Sequence, residues 1–155
     1  MGLKEKIYSF AAGLFFERPA RGKSFTELAQ QLGTAGEKVL ARLEGKSNSE
    51  RNHQVLTHII GIERWGQSRL RVLLGDPLRQ EEYLVYRPAR DVPWNELVEN
   101  FRTTRAETVS LAQALKNASV APEQSVPHNQ FGPISARAWL GYLQAHASRE
   151  IMQVR

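Results

Sequence analysis

The chain has 155 residues, 41% of them hydrophobic and 24% charged, which suits one domain with one core and leaves no apolar run long enough to span a bilayer. It contains no cysteine, so disulfides, thiolate metal ligands and a cysteine nucleophile are excluded, and any site is built from His, carboxylate, hydroxyl and cationic groups. The net charge of +5 is spread from Lys4 to Arg155 and interleaved with glutamate, a pattern that argues against a phosphate-binding surface for nucleic acid.

In chain order, "KIYSFAAGLFF" within residues 1–20 is too apolar to be left in water, and an additional short N-terminal helix packed on the domain or on a partner subunit is predicted. Glu17, Arg18 and Pro19 follow where a small-residue cleavage site would stand, so a cytoplasmic protein is expected rather than a secreted one. Residues 21–155 are read as one helical domain. Ser24 and Glu27 form a capping-box pattern ahead of Phe25, Leu28, Leu32, Val39 and Leu43, with "LGTAG" at 32–36 open to a kink or a break. A second capping-box pattern, Ser47 with Glu50, opens a long helix that stops at Gly75, with Pro77 beyond it. A third helix starts near Pro93 and aligns Trp94, Leu97, Phe101, Thr108, Leu111 and Leu115. A fourth starts near Gly132 and Pro133 and runs to the end. "DPLRQEEYLVYRPARD" and "NASVAPEQSVPHNQFG" are read as loops, and no segment has the period of a strand. The expected fold is all-α, a four-helix bundle with the extra N-terminal helix.

At about 100° per residue, Trp139, Leu143, His146 and Glu150 share one stripe of the last helix, and Val55, His58, Ile62, Trp65 and Arg69 share one of the second. His53, five residues before His58, faces another direction. Two inward histidines and a carboxylate have the composition of a two-His, one-carboxylate site for Zn²⁺, Ni²⁺ or Fe²⁺. The same spacing also fits hydrogen-bonded core histidines, a solvated Glu150 and tryptophans that only fill the core.

"LTHIIGIERWGQSRL" and "FGPISARAWLGYLQAHASREIMQVR", separated by the third helix, resemble the DinB-like superfamily, related to the YfiT proteins, over about residues 24–155. Its hallmark is a histidine on the second helix and an HxxxH pair on the fourth. The resemblance implies a four-helix bundle, usually dimeric, that holds a divalent metal in a pocket at one end. Some relatives are thiol-dependent S-transferases. Matched residue by residue, the ligands fall on His58 and His146, with Glu150 where a third histidine is expected. The implied function is a metal-dependent S-transferase or hydrolase acting on a small molecule, with a low-molecular-weight thiol as the expected partner of the transferase; the alternative is a non-catalytic stress-response scaffold with a weak or vacant metal site. Trp65 and Trp139 would wall the pocket, Arg69 and Arg105 would supply cations for an anionic thiol, and His128 either reaches the pocket mouth or caps a turn.

Overall fold

The computed structural model describes residues 2–155. It is mostly helical, with one small two-stranded sheet. Helix α1 (Leu3–Ala12) continues through a π-helical turn (Gly13–Glu17) into the short α2 (Arg18–Ala20). Four longer helices follow: α3 (Phe25–Leu43), α4 (Glu50–Arg71), α5 (Trp94–Asn117) and α6 (Ala136–Glu150). Strands β1 (Ser125–His128) and β2 (Gly132–Ser135) lie between α5 and α6. Helices α3 and α4 both pack on α5 and on α6. No described helix is long and apolar enough to cross a membrane.

Local chemistry explains most helix ends. Ser24 Oγ accepts from the Glu27 amide at 3.1 Å while Glu27 accepts from the Ser24 amide at 2.7 Å, the reciprocal cap expected for α3. The N-cap of α4 is Ser49 rather than Ser47: its Oγ accepts from the Asn52 amide at 3.1 Å, and the Asn52 side chain donates to the Ser47 carbonyl. Helix α4 passes through a 3₁₀ turn (Val72–Leu74) and ends at Gly75 with φ 109°, a conformation that favours glycine.

Two further expectations are corrected. Helix α3 runs unbroken through "LGTAG", because Gly36 is a contact site and not a hinge: a Cβ there would lie 2.7 Å from Cγ of Arg105. The segment before the last helix is a hairpin, with Ser125 paired to Ser135 and His128 to Gly132, so α6 begins at Ala136 under a Ser135 N-cap and not at Gly132. Four-residue strands are too short to establish an alternating pattern in sequence, and Pro127 and Pro133 mask them further.

The core has two apolar clusters, one around Trp139, Leu28 and Leu115, the other around Phe101, Ile59 and Val39. On α4 and α5 the residues between them are polar. Arg105 makes a two-pronged pair with Glu63 at 2.6 and 2.9 Å and donates to the Leu32 carbonyl of α3. Thr108 donates to Glu63, and Gln67 donates to Thr108 and to the Thr104 carbonyl. This layer ties α3, α4 and α5 together at one height.

The N-terminal segment is joined to the hairpin by Glu17, whose two oxygens accept from the amide and the hydroxyl of Ser135, each at 2.7 Å. Phe16 packs on Phe131 and Tyr142, and Tyr8 on Phe131. Glu17→Ala leaves the Ser135 amide, in a residue only 5% exposed, without its acceptor; the expected loss is about 1–3 kcal/mol. Urea unfolding measures it, and faster amide exchange in residues 3–20 identifies the segment that loosens.

Candidate functional site

Helices α4 and α6 pack so closely that a Cβ on Gly66 would lie 2.6 Å from Cδ2 of Leu143. Farther along the same contact, His58 of α4 meets His146 of α6, with their Nε2 atoms 3.1 Å apart. The stripes read from sequence therefore do converge on one another. His146 is 7% exposed and His58 partly buried. The Tyr83 ring, from a 3₁₀ turn (Tyr83–Tyr86) in the α4–α5 connection, stands edge-on to His58 at 5.1 Å, and Tyr142 flanks His146 at 5.9 Å.

Burial lowers the pKa of both histidines. For His58 the desolvation is partly offset by Glu150, which raises it, while Arg87 and Arg149 lower it further. His146 is brought down to about 3 by burial, by His58 and by Arg149. Both rings are therefore neutral at pH 7, the form in which imidazole donates a lone pair to a metal. In the described structure one Nε2–H donates to the other Nε2.

Glu150 lines the same open cleft of about 1000 Å³ as His58. Its carboxylate accepts from Arg149 Nε at 3.2 Å and from the Gln153 side chain. Among the described residues no group of three His, Asp or Glu side chains lies close enough together to hold a metal ion. The pair is assembled, and Glu150 is beside it but bonded elsewhere.

The other expected pocket residues do not line this cleft. Trp65 and Trp139 meet at 5.2 Å inside the core, where their indole N–H groups donate to the carbonyls of Glu81 and Val126. Arg69 is 1% exposed and donates to the Pro127 carbonyl, the Glu81 carbonyl and Asn129 Oδ1, so it fastens the hairpin to the α4–α5 connection. Arg105 is committed to Glu63. Residues at 65, 69 and 139 share the histidine stripes but lie further from the cleft end, and the hairpin, unforeseen in the sequence, covers them.

His128 caps the hairpin turn: Nδ1 accepts from the amides of Gln130 and Phe131 at 3.1 and 3.3 Å. Its ring is enclosed by Trp65, Trp139, Tyr142 and Phe131 at centroid distances of 4.6 to 5.1 Å. Burial, and then the charge of Arg69, brings its pKa to about 4.

The residues that sequence reasoning missed are Tyr83, Arg87 and Gln153. The first two lie in "YLVYRPAR", a stretch with neither a helical nor a strand period. A usable signal was Gly61, an interior helical glycine whose absent side chain leaves room for Arg87. No protein-family model, curated protein or solved structure matches this chain.

Proposed function

We propose that His58 and His146 hold a divalent metal ion at the end of the cleft, and that the protein is a metal-dependent hydrolase or thiol-dependent S-transferase on a DinB-like four-helix bundle. The observation that carries this reading is the 3.1 Å separation of the two Nε2 atoms. Ligands at about 2.0–2.1 Å from one ion and at roughly 100° to each other have nitrogens this far apart. Two neutral, mostly desolvated imidazoles in this arrangement fit the ion without rebuilding either helix.

Glu150 lines the same cleft and its charge acts on His58; Zn²⁺, Ni²⁺ and Fe²⁺ all accept a His₂–carboxylate set, which Glu150 would complete only by moving toward the pair. On this reading it exchanges its bond to Arg149 for the ion, while Gln153 orients the carboxylate. Tyr83 walls one side of His58 and keeps its ring in place. A bound divalent ion would lower the pKa of a water or a thiol and so provide a nucleophile at neutral pH. The open side of the cleft admits a small molecule.

A second reading has one observation in its favour. Glu150 is engaged by Arg149 and Gln153, and the histidines satisfy each other directly, which suits a scaffold whose site is weak or vacant. Calorimetric titration of chelator-stripped protein with Zn²⁺ and Ni²⁺ separates the two. The metal reading expects a single site whose affinity falls at least tenfold in Glu150→Gln; an unchanged affinity in that variant removes Glu150 from the ligand set.

A further inference from the structure

The N-terminal segment packs on the domain with only one of its faces. Tyr8, Ala12 and Phe16, at spacings of four, turn inward: Ala12 is buried, and Tyr8 and Phe16 meet Phe131 of the hairpin turn. At about 100° per residue, Leu3, Ile7 and Phe10 fall within roughly 60° of one another on the far side of α1, and Leu14 continues the stripe into the π-helical turn. All four are exposed, Leu3 by 76% and Phe10 by 74%. The stripe contains no polar residue and lies opposite the packed face, so a flat surface can reach it. The charges of α1 are sorted about it. Lys4 and Lys6 fall on its two sides by the same count, both are exposed, and among the described residues neither pairs with a carboxylate. Glu5 falls nearer the packed side, where its carboxylate accepts from the Gly2 amide at 2.8 Å. Glu17, the next acidic residue, is held by Ser135.

We propose that α1 is a membrane-surface anchor that lies flat on a bilayer containing anionic phospholipid. Leu3, Ile7, Phe10 and Leu14 enter the boundary between headgroups and acyl chains, and Lys4 and Lys6 reach the lipid phosphates on either side. The lysine stems stay along the apolar surface while their ammonium groups extend into the headgroup layer. The helix lies on the bilayer rather than across it, as its length requires. Charge complementarity selects this occupant. A second copy stacked stripe to stripe would offer Lys4 and Lys6 no carboxylate, since Glu5 and Glu17 are both off the stripe and bonded within their own chain. A protein interface also carries about one hydrogen bond per 100–200 Å², and the stripe has no side-chain group to make one, whereas an acyl boundary needs none.

The test sediments the full chain with vesicles of phosphatidylcholine alone and of equal parts phosphatidylcholine and phosphatidylglycerol. Saturable binding to the mixed vesicles is expected, weakened by added salt and at least tenfold weaker on phosphatidylcholine alone. Ile7→Gln/Phe10→Gln should reduce binding to the mixed vesicles at least tenfold, and Lys4→Gln/Lys6→Gln about tenfold. The chain has no cysteine, so Ile7→Cys carrying an environment-sensitive fluorophore reads the stripe alone. Its emission should shift to the blue on mixed vesicles, and that of Ser9→Cys, exposed but off the stripe, should not. No binding to the mixed vesicles, equal binding to both compositions, undiminished binding in either glutamine variant, or the same shift at both labels overturns the proposal. So does a dimer, found by light scattering without vesicles, that Ile7→Gln/Phe10→Gln dissociates, because a second copy then covers the stripe. If Ile7→Gln/Phe10→Gln fails to fold by circular dichroism, the two vesicle compositions, Lys4→Gln/Lys6→Gln and the paired labels decide.

Discussion

Replacing Arg105 with methionine destabilises the protein by about 3–5 kcal/mol, because it leaves a charge buried without its partner. Glu63 is 1% exposed and takes two of its three donors from Arg105, the third being Thr108. The same substitution strips the Leu32 carbonyl of a donor and so loosens α3 as well. Methionine fills much of the volume, which confines the loss to electrostatics and hydrogen bonding rather than a cavity. Equilibrium urea unfolding at pH 7 measures the effect. The double variant Glu63→Gln/Arg105→Met should recover part of it, since an uncharged amide costs less to bury than a carboxylate. A loss below about 1 kcal/mol for Arg105→Met would show that Glu63 finds other partners or water.

The second large effect is on the acid limb of stability. His128 has a folded pKa of about 4 against 6.5 for the free side chain, so between those values the unfolded chain binds a proton that the folded one does not. Its contribution is fully present above pH 6.5 and is lost progressively as pH falls to 4, amounting to about 3 kcal/mol. His146, lowered to about 3, acts in the same direction over a window that extends lower. Asparagine at 128 carries an oxygen that can accept from the Gln130 and Phe131 amides, keeping the turn while removing the titration. Urea midpoints of metal-stripped protein from pH 4 to 7.5 should therefore fall less steeply in His128→Asn than in the wild type. Parallel curves would mean that the aromatic enclosure opens to admit the charged ring.

Helix periodicity was enough to align the two halves of the histidine pair, because side-chain direction in a helix follows directly from residue number. It located His58 and His146 from 88 residues apart in sequence and identified the capped start of α3. It failed where a backbone choice depends on a distant partner. Gly36 looks like a helix breaker until Arg105 is laid over it, and Ser49 caps α4 in place of Ser47 because the Asn52 side chain reaches back to the Ser47 carbonyl and on to the Arg155 carbonyl. The hairpin was illegible for a related reason: its two short strands are held by each other, by the Arg69 and Trp139 side chains and by Glu17. That hairpin redirected four of the expected pocket residues, Trp65, Arg69, Trp139 and His128, into structural work. Arg87 needed the path of an irregular connection, which no period encodes.

Glu150 is the position at which sequence and structure ask the same question. Its hydrogen-bond partners are Arg149 and Gln153, it lines the same cleft as His58, and the Nε2 atoms of His58 and His146 stand 3.1 Å apart. The metal content of protein purified without chelator or a histidine tag tests the central claim most directly. The account predicts about one equivalent of a divalent transition metal per chain, lost in His58→Ala/His146→Ala while the fold is retained by circular dichroism. Wild-type protein that is metal-free as purified and takes up no Zn²⁺, Ni²⁺ or Fe²⁺ when they are supplied would contradict it.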